Sequence, residues 1–371
     1  MSEGASEVSE PLSLTIPALS DYHLHLRQGD LVDTLAPISA RTCGRVLVMP
    51  NTDPAIYRPD LLRAYKSRIS HWMPETDVLM TFKILPDMPP SMVTDLAKVG
   101  AVAGKLYPAG ATTNSQDGVS AEILRNPDNS KWLESFLDKM QEGNLVLCLH
   151  GEMPDEPDPL EREYEFLNFV AWVVDNYPTL RIVLEHITTR DAVNFISYCP
   201  LRVAATITLH HLMFHLGHVM GSASLPNGLI EQDGKLHPHL FCWPCAKRPS
   251  DRDALVKAVL SETPKFFLGS DSAPHDVYLK QSASCCAGVF TAPVLAQGLA
   301  HFFDSHNAIG KIEGFTSRFG DTFYRRKTIE RRITLVRRPY VVPESIPGPQ
   351  GSPISFVPFL AGKTLGWSVG E

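Results

Sequence analysis

The chain has 371 residues, 44% hydrophobic and 20% charged, close to the globular average, so wholesale disorder is excluded. Lys+Arg 34 against Asp+Glu 41 leaves a net charge of −7 with histidine neutral, which argues against a non-specific nucleic-acid binder, since that class needs a basic field, and leaves room only for a local patch. The longest strongly apolar stretches, such as Phe166–Val174, reach about half of the ~20 residues needed to cross a bilayer, so no membrane span is expected.

Met1–Glu10 is polar and acidic, unlike a secretory or transit segment, and residues 1–11 are expected to be flexible. Seven cysteines, an odd number at low density, with no Asn-x-Ser/Thr acceptor, fit a reducing, cytoplasmic compartment. Short apolar runs bounded by Pro, Gly or Asn predict strands at Ser20–Leu26, Arg45–Pro50, Val78–Leu85 and Ala103–Tyr107. Further strands are predicted at Leu145–His150, Arg181–Ile187, Val203–Leu209 and Lys265–Ser270. Helical periodicity falls between them, at Arg58–Trp72, Lys131–Glu142, Glu161–Asn176 and Asp251–Glu262. Runs such as Leu145-Val-Leu-Cys-Leu, apolar on both faces, are those of a parallel sheet covered on both sides. The alternation fits a (β/α)8 barrel, although an open doubly wound sheet would give the same pattern. The last segment differs: Arg325–Arg338 is basic and Pro339–Pro358 is rich in proline. It reads as an irregular C-terminal extension, 325–371, packed on the exterior of a single domain spanning 1–371.

The strongest local signal is His23-Leu-His25-Leu-Arg27. Alternate residues of a strand share a face, so His23, His25 and, if the strand runs that far, Arg27 should project together, two imidazoles toward a cation and a guanidinium toward a carboxylate. Other strands end in chemistry of the same kind: Asn51, Lys105, His150, Glu185-His186 and Asp271. A barrel's active site gathers at the C-terminal ends of its strands, so these side chains should meet at one mouth. Each has an ordinary reading as well: a rim histidine, a salt-bridged lysine, a capping aspartate.

Taken together the motifs resemble the monofunctional, bacterial-type dihydroorotases of the amidohydrolase superfamily. The matching segments are Asp21-Tyr-His-Leu-His-Leu-Arg27, Val48-Met-Pro-Asn51, Lys105-Leu-Tyr-Pro-Ala-Gly-Ala-Thr-Thr-Asn-Ser115 and Leu149-His-Gly-Glu152. Others are Glu185-His-Ile-Thr-Thr189, Gly269-Ser-Asp-Ser-Ala-Pro-His275 and Val357-Pro-Phe-Leu-Ala-Gly362. The resemblance implies a TIM-type barrel that reversibly closes N-carbamoyl-L-aspartate to dihydroorotate with loss of water, in pyrimidine biosynthesis. It implies two Zn2+ per chain, one on His23, His25 and Asp271 and one on His150 and His186, bridged by a carbamylated Lys105 and a hydroxide. Asp271 would serve as general base and acid. Arg27, Asn51 and His275 would clamp the substrate carboxylate. Thr112 and Thr113 would cover the substrate, backbone near Trp243 and Ala287 would meet its ring, and His25 and His150 would also touch it. The relatives imply a cytoplasmic homodimer with a small-molecule substrate and no nucleic-acid or membrane partner.

Several signals compete. Cys242-Trp-Pro-Cys245 has the spacing of a redox dithiol and, with Cys285-Cys286, of a tetrathiolate metal site, but it lies outside the βαβ context such dithiols need. His210, His211, His215 and His218 could form a separate metal cluster or simply a histidine-rich rim. Trp243 is bulkier than is common at its position, and Arg325-Arg326-Lys327 departs from the family's usual Gly/Pro-containing exit. A hydantoinase or allantoinase would share the metal set but not the Arg27, Asn51 and His275 clamp, and a catalytically dead barrel would have lost metal ligands.

Overall fold

The computed structural model describes residues 12–370, so the expected flexibility of 1–11 lies outside the described residues. After a short strand β1 (Ser13–Pro17), eight parallel strands follow in chain order. They are β2 (Leu19–Leu24), β3 (Cys43–Val48), β4 (Asp77–Ile84), β5 (Ala101–Leu106), β6 (Val146–His150), β7 (Arg181–Glu185), β8 (Val203–Ile207) and β9 (Phe266–Leu268). All eight predicted strands are present, each pairing with its sequence neighbour. The ring closes just beyond β9: Leu24 bridges Ser272, the Asp271 amide donates to the His23 carbonyl at 2.9 Å, and the His25 amide to the Ser272 carbonyl at 3.2 Å. Closure decides for the barrel over the open sheet that the same periodicity allows.

The covering helices start where the local chemistry lets them. Ser130 caps Lys131–Glu142 by accepting from the Leu133 amide at 3.2 Å, and Thr189 caps Arg190–Tyr198 by accepting from the Ala192 amide at 3.1 Å. Pro59 opens Pro59–Trp72, where its missing N–H costs nothing. Apolar side chains form two separate bodies. The larger lies between strands and helices. The smaller fills the barrel interior with Tyr22, Leu47, Leu79, Ala103, Val146, Val183, Ala204 and Phe267, stoppered by Phe319 and Tyr324.

The extension mixes irregular chain with short ladders. β10 (Arg332–Val336) runs antiparallel to β1 with Ser13 opposite Val336. Two-residue pairs follow, β11 (Tyr340–Val341) with β14 (Thr364–Leu365) and β12 (Ile346–Pro347) with β13 (Ser355–Phe356), and β15 (Ser368–Val369) flanks β10. Part of the basic run is structural: Arg331 Nη2 donates to the carbonyls of Ala40 and Cys43 at 2.8 and 2.7 Å.

Candidate active site

The inner face of each strand climbs from apolar to polar with period two. Ala103 leads to Lys105, Cys148 to His150, Val183 to Glu185, Ala204 to Thr206, Phe267 to Asp271, and Leu47 through Met49 to Asn51. Simple alternation does not carry β2, whose pairing with β3 slips between Asp21 and Leu24. Nor does it carry Arg27: the strand ends at Leu24, and Arg27 sits in a left-handed turn with φ 59. The expectation that Arg27 shares a strand face with His23 and His25 is corrected accordingly. Gly269 makes room for this crowding, since a Cβ there would lie 2.9 Å from the His23 Cβ and 2.7 Å from the Thr206 Cβ.

His23, His25 and Asp271 bring one ligand atom each within 4.8 Å of one another. His25 Nε2 is 3.0 Å from Asp271 Oδ1, His23 Nε2 is 3.5 Å from that oxygen, and the two Nε2 atoms are 3.3 Å apart. The His186 ring lies 4.9 Å from that of His23 and 4.8 Å from that of His150, centroid to centroid. Carboxylates behind the rings fix their tautomers. Glu185 Oε2 is 2.9 Å from His23 Nδ1 and accepts from Thr206 Oγ1 at 2.6 Å, while Glu152 Oε2 is 2.9 Å from His150 Nε2. With those nitrogens donating, His23 Nε2 and His150 Nδ1 keep their lone pairs, the arrangement found behind metal-bound imidazoles. Asp21 locks the framework, accepting from the Ser270 amide and hydroxyl at 2.8 and 2.5 Å.

Electrostatics point the same way. Burial pulls the histidines down, His25 to about 4 and His150 and His186 also below their ordinary value, so they are neutral donors. Burial alone would raise Asp271, but its hydrogen bond from His25 and the neighbouring His23 outweigh it and hold the carboxyl below the usual range. Lys105 is fully buried, lowered chiefly by burial, and its Nζ has no partner among the described residues; neither has His186 Nδ1. A buried amine without a partner is costly and calls for a ligand or a modification.

Beside this cluster stands a second group. Arg27 Nε donates to the Pro274 carbonyl and Nη2 to His275 Nε2, both at 2.9 Å, and the Tyr65 hydroxyl donates to the Arg27 carbonyl. His275 Nε2 is also 2.9 Å from the Ala287 carbonyl, and one ring nitrogen cannot both accept from Arg27 and donate to Ala287. Asn51 Nδ2 donates to the Thr113 carbonyl at 3.1 Å, tying down the loop that carries Thr112 and Thr113. A cavity of about 230 Å³ opens among His25, Arg27, Asn51 and Asn114. Trp243 makes none of these contacts; it packs on Phe241 and beneath the Arg162 guanidinium, 5.2 Å from its ring. Its segment is nevertheless sewn to that of Ala287, because the Gly288 amide donates to the Phe241 carbonyl at 2.9 Å.

The supporting roles of Glu185, Glu152, Asp21 and Thr206 were not read from the sequence. Glu185, Glu152 and Asp21 stand within two residues of metal-type histidines, which is a signal; Thr206 carries none. The competing motifs come apart. All seven cysteines are unpaired, Cys245 contacts Lys247 Nζ at 3.5 Å, and His215 and His218 cap their own turn.

No family model matches the chain. It is 38% identical over 363 residues to a dihydroorotase of Teredinibacter turnerae, covering 96% of this chain and 98% of that one. It is 40% identical over 368 residues to the mitochondrial dihydroorotase of Arabidopsis thaliana, covering 96% and 90%. The solved structure of Saccharomyces cerevisiae dihydroorotase in complex with 5-fluoroorotic acid superposes with a TM-score of 0.85 at 33% identity, covering 96% of this chain and 98% of that one. Likeness of this extent, joined to a barrel mouth furnished with histidines, a buried lysine and an aspartate, establishes that the chain belongs to the dihydroorotase family, metal-dependent hydrolases of cyclic amides.

Proposed function

We propose that the cluster at the barrel mouth closes N-carbamoyl-L-aspartate to dihydroorotate with loss of water, and reopens it, the reaction of dihydroorotases in pyrimidine biosynthesis. The observation that carries this is the convergence of His23, His25 and Asp271 beside two further imidazoles and an unpartnered buried lysine. His23, His25 and Asp271 would hold one zinc ion and His150 and His186 a second. Lys105 would join them as a carbamate, which burial favours because only the neutral amine reacts with CO2. The residues fit that pair: neutral imidazoles, one carboxylate, and an amine that otherwise lacks a partner. When bound, the metals supply positive charge beside the reacting carbonyl and make a water acidic enough to ionise near neutral pH.

The chain's own groups do the rest. In ring closure Asp271 takes the proton from the attacking ureido nitrogen as the C–N bond forms and passes it to the oxygen shed by the substrate's β-carboxylate carbon, which leaves as hydroxide and takes up a solvent proton to become water. In ring opening it returns that proton to the departing nitrogen. Arg27 offers a planar fork to the α-carboxylate, with Asn51 and His275 beside it. A carboxylate arriving there also relieves the double demand on His275 Nε2. The hydroxyls of Thr112 and Thr113 reach the substrate from the loop that Asn51 tethers, backbone near Trp243 and Ala287 borders its ring, and His25 and His150 line its metal side.

Rates on carbamoyl aspartate, dihydroorotate, hydantoin and allantoin, measured with zinc content per chain, test the reading. Two zinc ions and turnover confined to the first pair are expected; preferential hydrolysis of hydantoin would overturn it. We also propose a cytoplasmic location without a nucleic-acid partner, supported by the unpaired cysteines and the net charge of −7, and a homodimer, which rests on the family resemblance. Among the described residues no helix is long and apolar enough to cross a membrane. Light scattering tests the dimer.

A further inference from the structure

We infer a separate metal site at His210, His211 and Cys242, outside the catalytic cluster. The three side chains bring one nitrogen, one nitrogen and one sulfur within 4.8 Å of one another. All are buried, with 0, 2 and 1% of their surface exposed. His211 Nε2 lies 3.5 Å from Cys242 Sγ. With zinc–nitrogen and zinc–sulfur bonds of about 2.0 and 2.3 Å, the nitrogen-to-sulfur edge of a tetrahedral site is about 3.5 Å.

A second, independent observation points to a ligand. Both ring nitrogens of His210 are buried with no partner among the described residues. Buried imidazole nitrogens are nearly always hydrogen-bonded, and here a thiol and another imidazole each bring an atom within 4.8 Å. Without an ion, His211 Nε2 at 3.2 Å and Cys242 Sγ at 3.3 Å both donate to the Pro244 carbonyl, so both aim at one point. An ion there would take the place of those two protons, the thiol giving up its own and His211 keeping one on Nδ1, which lies 2.9 Å from Thr208 Oγ1. A thiolate with two imidazoles suits zinc or another borderline-soft divalent ion, not magnesium or calcium. Such an ion would pin the helix Leu209–Met213, which follows β8, to the Phe241–Cys245 segment that carries Trp243. The site thus replaces the two sequence readings of these residues, a dithiol with Cys245 and a four-histidine cluster, with one that draws a member from each.

Cobalt substitution tests it by a signal the catalytic cluster cannot give, since that cluster offers only nitrogen and oxygen. The cobalt-loaded enzyme should show a near-ultraviolet thiolate-to-cobalt charge-transfer band. Cys242→Ser should lose the band and one cobalt per chain; Cys286→Ser should keep both. His210→Gln, similar in volume, should weaken the band severalfold, and it decides the matter if Cys242→Ser fails to fold. No band in the cobalt-loaded wild type, or a band and cobalt content unchanged in His210→Gln, would overturn the site. Loss of turnover with the band intact bears on the catalytic cluster alone.

Discussion

At the floor of the barrel, Tyr22 stacks on Tyr324 with ring centroids 4.4 Å apart and meets Phe267 edge-on at 5.5 Å. One residue beyond Tyr22 and four beyond Phe267, at the mouth, stand His23 and Asp271. Most of the floor's polar atoms answer one another: Tyr22 donates to Asp321 Oδ1 at 2.8 Å, and Arg45 bonds the same oxygen at 2.6 Å and Asp77 at 2.8 Å, with only Asp321 Oδ2 of this group lacking a partner among the described residues. At the mouth Lys105 Nζ, His186 Nδ1, Glu185 Oε1 and Asn51 Oδ1 are buried without partners among the described residues. One backbone pattern thus yields a packed plug at one end and, at the other, a set of groups whose partners are ligands. Local rules are broken where function needs them broken.

If that division holds, substitutions at the mouth should cost activity and not fold. The largest effect is expected at Asp271. Asp271→Asn should lower kcat by about 10²–10⁴-fold, the range that a positioned acid–base group supplies, while substrate still binds and the melting temperature holds. Near-normal kcat would break the assignment. Lys105→Met should lose metal and turnover together yet leave the metal-free protein as stable as the wild type or more so, because it removes a buried amine without a partner. A large stability loss would place Lys105 among the floor's structural residues instead. At the floor the sign reverses. Phe267→Ala should cost about 3–5 kcal/mol of stability, as a buried aromatic does, while the folded fraction keeps its metal content and kcat; calorimetry with metal analysis checks both.

The floor was the more legible end. Short, near-continuous apolar runs bounded by Pro, Gly or Asn located all eight barrel strands, because parallel strands buried on both faces leave a plain signal. The mouth's residue types were legible through motif blocks such as Gly269-Ser-Asp-Ser-Ala-Pro-His275. Its geometry was not. Arg27 reaches the site by a left-handed turn, and His186 and Asp271 also have positive φ, at 41 and 45. Such backbone is imposed by tertiary context, here Asp21, Ser270 and Thr206 holding the strand ends. The His210–Cys242 contact was equally hidden, because 32 positions of chain separate two residues that a fold must bring together.

The carboxylate clamp lies between the two ends in kind, built on turns but braced by backbone. Arg27→Lys keeps the charge and loses the fork, along with the bonds to Pro274 and His275. With a charged hydrogen bond worth about 1.5–3 kcal/mol, KM should rise roughly 10–100-fold with a smaller change in kcat. An unchanged KM would remove Arg27 from substrate recognition.

The smallest effect sharpens the comparison most, because it concerns a mouth residue that behaves like a floor residue. Lys280 Nζ donates to the carbonyls of Phe241, Cys286 and Gly288 at 2.8, 2.9 and 2.9 Å, holding together the two segments that carry Trp243 and Ala287. Burial pulls its pKa down to about 8, against the opposing pull of nearby thiols. An ammonium has three N–H donors and a neutral amine two, so above pH about 8 one carbonyl loses its donor and the substrate-facing segments loosen. KM should then rise a few-fold through that pH. Stability should move the other way. Between the folded pKa of about 8 and the ordinary value of 10.5, the folded chain binds fewer protons than the unfolded one. The cost of burying the charge is therefore relieved as pH rises through that window. Lys280→Met should abolish both trends and show a raised KM at every pH. A wild-type KM profile that the variant retains would assign the alkaline change to another group.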